Sequence, residues 1–169
     1  MAELSLRRRL VEQQRVSTLV GEYLQRLAAG GSVVALHHDP DGAPHEWYLR
    51  LEGDTRDYVA IWLRVRERTL AVESYLMPPP EENETELYLY LLKVNHGLVN
   101  VKFGIGGKDE TGVFLTGHVP VEWVDESVVD ELVGTCWEAI EQHFSTAMSI
   151  GYASSYRRRR QPPRAEEGV

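Results

Sequence analysis

The chain has 169 residues, 18 basic and 26 acidic side chains, one cysteine and 43% apolar content. A chain this long forms one domain and buries roughly 70% of its unfolded surface, and its ordinary apolar and charged fractions exclude wholesale disorder and fibrous repeats. The net charge of −8 is unevenly spread, with +2 on residues 1–29, −13 on 30–150 and +3 on 151–169, so a nucleic-acid-binding body is disfavoured because phosphates would meet a repelling surface.

Residues 4–28 read as the first helix. Leu6, Leu10, Ser17, Val20, Leu24 and Leu27 trace one stripe, widened by Val16, Leu19 and Tyr23, and Gly30–Gly31 is a natural stop. The turns through Arg15 are polar and set residues 1–15 apart as an extension of a domain spanning 16–152. Arg7, Arg8 and Arg9 are not followed by the apolar run of a secretory leader, and no stretch approaches the ~20 apolar residues of a membrane span. Together with the lone Cys136, which cannot form an internal disulfide, this predicts a cytoplasmic protein.

His37, His38 and Asp39 are contiguous, and His45 follows in the Pro/Gly-rich run HHDPDGAPH. That spacing reads as an exposed loop, since metal ligands need a rigid frame; a metal-assisted hydrolase built on these three residues is the weakest functional class. Asp39, Asp41 and Gly42 resemble part of a calcium loop, but its later acidic ligand is missing.

Period-2 alternation then marks strands at 46–51, 58–65 and 69–77. The short links between them require antiparallel pairing. One face of this meander is aliphatic, while the other carries Tyr48, Trp62 and Tyr75. Such a face calls for a cover: the second helix, another subunit or a bound peptide. Pro78–Pro80 ends the third strand, and Leu87, Tyr88, Leu91, Leu92 and Val94 give a second helix stopping near Asn95–Gly97. Strands at 99–105 and 112–119 follow. The glycines and Lys108 between them form a hairpin turn, because a phosphate loop would open a helix.

Asp125 or Ser127 caps a last helix reaching about Ile150, with Val129, Leu132, Val133, Cys136, Ile140, Phe144 and Ala147 inward. Residues 153–169, with Arg157, Arg158, Arg159 and Arg160, are expected to form a disordered Arg/Pro-rich tail. The order αβββαββα predicts an α+β fold, an antiparallel sheet with helices packed on it. Cys136 lies on an apolar face without a neighbouring base, and no catalytic motif is present. The expectation is a protein that is not an enzyme and holds neither cofactor nor metal.

The segment 87–106, LYLYLLKVNHGLVNVKFGIG, carries Leu91, Asn95, Lys102, Phe103 and Ile105 in a Leu/Tyr-rich helix, an Asn and a K-F-x-I strand. With the strand and long helix after it, this segment resembles the YbjN-like proteins of bacteria, labelled sensory transduction regulators, over about residues 16–150. The resemblance implies a type III secretion chaperone-like fold, a homodimer and an unfolded or extended protein client. It carries over no catalytic residue. The function expected is a chaperone-like or regulatory protein-binding module using Tyr48, Trp62, Tyr75, Tyr88 and Leu92. The alternative is an adaptor whose basic tail, Arg157–Arg160, engages nucleic acid or an acidic protein.

Overall fold

A computed structural model describes residues 2–108 and 112–157. The first helix, α1 (Ala2–Ala29), is one continuous element. Its apolar stripe meets the core only in its second half: Val16, Val20 and Leu24 are fully buried, whereas Leu6 and Leu10 remain largely exposed. Polar ties hold the middle of the helix instead. Gln13 donates to the Val65 carbonyl at 3.0 Å, and the Arg15 guanidinium donates to the carbonyls of Val121 and Val124 at 2.9 and 3.0 Å.

Strands β1 (Val33–His38), β2 (Glu46–Glu52), β3 (Tyr58–Val65), β4 (Thr69–Met77), β5 (Val101–Gly106) and β6 (Gly112–Pro120) form one sheet in the order β1-β2-β3-β4-β6-β5. Every pairing is antiparallel. The α+β class and its helix-framed strand runs are as expected, with one strand more than the sequence reading contains. Strand β1 was missed because VVALHH lacks period-2 alternation: a bulge between Val33 and Ala35 breaks the register, and the strand pairs on one side only. His37 and His38 therefore end a strand and are not part of a loop, which corrects the reading of HHDPDGAPH. The loop that follows is set by Asp39, whose Oδ1 accepts the amides of Asp41 and Gly42 at 3.1 and 2.9 Å.

Helices α2 (Glu84–Gly97) and α3 (Glu126–Gly151) complete the described chain, with a short 3-10 turn at Val121–Trp123. Asp125 is the cap of α3, its carboxylate accepting the Val128 amide at 3.0 Å and the Ser127 hydroxyl at 2.7 Å. All three helices share a single core with the inward residues of the strands. Val20 and Leu24 of α1, Leu87 and Leu91 of α2, and Val129 to Ala147 of α3 join Trp47, Leu49, Ile61, Leu63, Val72, Phe103 and Leu115. Each fully buried Leu or Val there is worth about 1.5–3 kcal/mol.

A polar clamp fastens α3 to the sheet. The side chain of Glu141, nearly fully buried, accepts the amides of Asp54 and Thr55 in the β2–β3 turn at 3.0 and 2.7 Å. Gly53 makes the approach possible, since a Cβ there would stand 2.8 Å from Glu141 Oε1. Next in the turn, Arg56 reaches under β4 and donates to the carbonyls of Tyr75 and Leu76 at 3.1 and 2.9 Å. A bulge between Tyr75 and Met77 lies at this point, leaving both Leu76 and Met77 in the core. Replacing Glu141 with Ala orphans two turn amides and should lower stability by about 2–3 kcal/mol. Glu141→Gln, which keeps an acceptor, should lose about 1 kcal/mol. Urea denaturation reads both, and equal midpoints for wild type and Glu141→Ala would remove the clamp from the account.

Candidate functional site

Among the described residues, no helix lies over the outward face of the sheet. Adjacent positions on successive strands run His37, Tyr48, Trp62, Glu73, Thr116 and Lys102. Rings fill the first half of this row: His37 stacks on Tyr48 at 6.0 Å between centroids, and Tyr48 meets Trp62 at 4.9 Å. Arg50 braces them, its Nε donating to the Tyr48 hydroxyl at 2.6 Å and its guanidinium lying 4.4 Å over the Tyr58 ring. Arg64 spans Glu46 and Glu73 at 3.5 and 3.6 Å. The His37 ring is exposed and those of Tyr48, Tyr58 and Trp62 are half-buried, while the small Ala60 and Ala71 beside them are buried outright.

Tyr48 and Trp62 are therefore brought together. Tyr75 shares their face but belongs to a second cluster, edge-on to Phe114 at 5.3 Å and with the Arg56 guanidinium 6.0 Å from its ring. Burial raises its hydroxyl pKa, opposed by the Arg56 charge. His37 enters the sequence reading only as a possible metal ligand, and Arg50, Tyr58 and Phe114 do not enter it as members of this face. Arg50 (two residues from Tyr48), Tyr58 (four residues from Trp62) and Phe114 (directly across from Tyr75) follow from strand parity and register; His37 needed β1.

Tyr88 and Leu92 lie elsewhere, so α2 is not the cover of the aromatic face. This helix packs on the core side against α3 and β5, and with β5 it forms an apolar groove of about 230 Å³. Tyr88, Leu91, Leu92, Phe103, Ile105 and Val113 line it. Leu92 is 65% exposed and Ile105 56%. Polar bonds fix the wall of the groove. The Asn95 side chain donates to the Phe103 carbonyl at 3.0 Å and accepts its amide at 2.7 Å, closing the free edge of β5 at that residue. Lys102 donates to the carbonyls of Asn95, at 2.8 Å, and of Leu98. Asn95, Lys102 and Phe103 are thus architectural.

Arg157 is exposed, with its guanidinium donating to the Tyr156 carbonyl at 3.0 Å. Arg158, Arg159 and Arg160 lie outside the described residues. Cys136 is fully buried, and burial pushes its thiol up to about 12. The buried Ser17 hydroxyl lies 2.6 Å from His45 Nδ1, a pair that fastens α1 to the start of β2. Among the described residues, no three His, Cys, Asp or Glu side chains are grouped to hold a metal, and no helix is long and apolar enough to cross a membrane.

Three helices on one face of an antiparallel sheet define a type III secretion chaperone-like fold. A chain of the ExsC–ExsE complex has it too, with a TM-score of 0.53 at 15% identity, over 78% of this chain and 92% of that one. That likeness is one of fold. Residues 22–147 match the family model YbjN, described as "Putative bacterial sensory transduction regulator", and the chain belongs to this family. Relatives include the uncharacterised proteins Rv0487 of Mycobacterium tuberculosis and Mb0497 of Mycobacterium bovis, each 29% identical over 72% of this chain. ML2442 of Mycobacterium leprae is 31% identical over 63% of it. The match spans 66% of the length of the first two and 57% of the third, less than two thirds in each case.

Two outcomes are expected of the architectural residues. Asn95→Ala should cost about 1–3 kcal/mol, because Phe103 loses both partners of its outward backbone groups, and hydrogen exchange at the Phe103 amide should accelerate. Unchanged exchange there would show that Asn95 does not close the strand. Cys136 should resist iodoacetamide at pH 8 in the folded protein and react after denaturation; rapid labelling of folded protein would contradict its burial.

Proposed function

We propose that this chain is a non-enzymatic regulatory module that binds protein, works as a homodimer, and takes an extended client segment along its aromatic sheet face. The observation that carries the reading is the placement of α1, α2 and α3 on one side of the sheet, which leaves Tyr48 and Trp62 in contact on the other side without a cover among the described residues. Fold likeness to a chain solved in complex with a protein partner supports the same reading.

The two surfaces suit different partners. On one edge of the sheet, Asn95 already fills the β5 backbone at Phe103. On the opposite edge, β1 pairs with β2 and with no other described strand. A client strand added to β1 would gain backbone bonds from the edge and run beside His37, and its continuation across the outward face would reach the Tyr48 and Trp62 rings on β2 and β3. A second copy of the chain suits the α2–β5 groove, where Leu92 and Ile105 are more than half exposed.

Light scattering after size exclusion should give twice the 19.2 kDa chain mass at micromolar concentration. Leu92→Asp with Ile105→Asp should halve that value and leave the circular dichroism unchanged. A monomeric wild type overturns the homodimer. Reduced, carboxymethylated α-lactalbumin serves as the extended client. Trp62→Ala and Tyr48→Ala should each weaken its binding by about tenfold, the loss of one good ring contact, while Tyr88→Ala should not. Full binding by folded Trp62→Ala protein overturns the client surface.

A further inference from the structure

A third surface lies apart from both. Ser5, Arg8, Arg9 and Glu12 share one face of α1, at spacings of three and four residues. Across from them stand Arg68 in the β3–β4 turn, Pro120 at the end of β6 and Glu122 after it, and together they enclose a cleft of about 530 Å³. The turn is held in place by the Arg68 carbonyl, which accepts the Val121 amide at 3.0 Å.

The cleft brings three guanidinium groups into a body whose charge is otherwise strongly negative, and their donors are largely unspent. Arg9 Nε is buried without a hydrogen-bond partner; its nearest carboxylate, Glu67, is 3.8 Å away. An unmet buried N–H of a charged group is costly, and native structures normally give it an acceptor. Neither Arg8 nor Arg68 has a side-chain partner among the described residues. Of the two carboxylates in the lining, Glu12 is already committed to Arg15 at 2.9 Å, so Glu122, with Glu67 outside the lining at 3.8 Å from Arg9, opposes three cations.

We infer that this cleft binds a phosphoryl dianion, with Arg8, Arg9 and Arg68 as its ligands and the Ser5 hydroxyl as a neutral donor. Forked guanidinium groups arriving from a helix and from a turn approach an anion from separate directions. A tetrahedral phosphate offers terminal oxygens to each, whereas a planar carboxylate is satisfied by one or two forks. The acidic body argues against a long polyanion and for a single phosphate group, either on a small molecule or on a phosphorylated side chain.

Calorimetry on the full chain at fixed ionic strength tests this with inorganic phosphate, ATP, and a serine-containing peptide in phosphorylated and unphosphorylated forms. At least one phosphate probe should bind at one site per chain, and the unphosphorylated peptide should not. Arg8→Ala and Arg68→Ala should each weaken binding by about tenfold or more, the worth of one charge-assisted bond. Thermal midpoints of these two variants should stay within error, because both side chains are exposed. Arg9→Lys keeps the charge but removes the fork and should also weaken binding. Tighter binding of the phosphopeptide than of phosphate and ATP assigns the source to a protein; the reverse assigns it to a small molecule. Failure of every phosphate probe, or equal affinity in folded Arg8→Ala and Arg68→Ala proteins, overturns the site.

Discussion

One-sided burial governs this molecule. The strands place Leu49, Ile61, Leu63, Val72 and Leu115 on one face, and all three helices converge there because that face offers the apolar area they must cover. The opposite face is left to rings and long polar chains. Its stability is self-supplied: Arg50 pins Tyr48 and covers Tyr58, and Arg64 spans two glutamates. A face built this way holds its shape without a covering element and still presents aromatic area. That is the property a reversible protein-binding surface requires.

The edges of the sheet are handled unequally, and the difference matters for function. An unpaired edge invites another strand. At β5 the Asn95 amide imitates one residue of a neighbouring strand, taking both backbone groups of Phe103. At β1 a bulge after Val33 distorts the start of the strand while the stretch from Ala35 to His38 keeps regular pairing with β2. Strand addition is therefore disfavoured where α2 lies and left open beside the aromatic row. The Asn95, Lys102 and Phe103 pattern marks how the fold closes, so membership of the family speaks first to architecture and only then to partners.

Much of this architecture was legible. Strands with clean alternation, such as β3 from Tyr58 to Val65, and helices with a long stripe, such as α3, were read nearly to their ends because burial on one face imposes the period directly. Strand β1 was not legible: at an edge and with a bulge, its residues mix half-buried and exposed positions without a period. The grouping of the surface residues was lost for a different reason. Alternation says that Tyr48, Trp62 and Tyr75 share a face, but only the strand register separates Tyr75, beside Phe114, from the Tyr48–Trp62 pair. Likewise the helical spacing of Tyr88 and Leu92 gives no direction in space, and the chain crosses to the far edge before β5 meets them. The clamp of Glu141 on the β2–β3 turn joins residues 86 and 87 positions apart, beyond any local pattern.

The arginine cleft shows where a shared fold leaves room for difference. The family match begins at residue 22, yet Ser5, Arg8, Arg9 and Glu12 precede it, while Arg68, Pro120 and Glu122 lie within it. One wall therefore comes from the common body and the other from the first turns of α1, which are too polar to join the core. Those turns bury little apolar surface, as the exposure of Leu6 and Leu10 shows, and core packing alone gives no reason to carry the helix so far past Val16. Their arginines face the body across the cleft with donors unspent. An anion bridging the two walls would stabilise the extension by neutralising guanidinium groups that otherwise repel one another, linking ligand binding to the position of α1 and, through Arg15 on Val121 and Val124, to the segment that leads into α3.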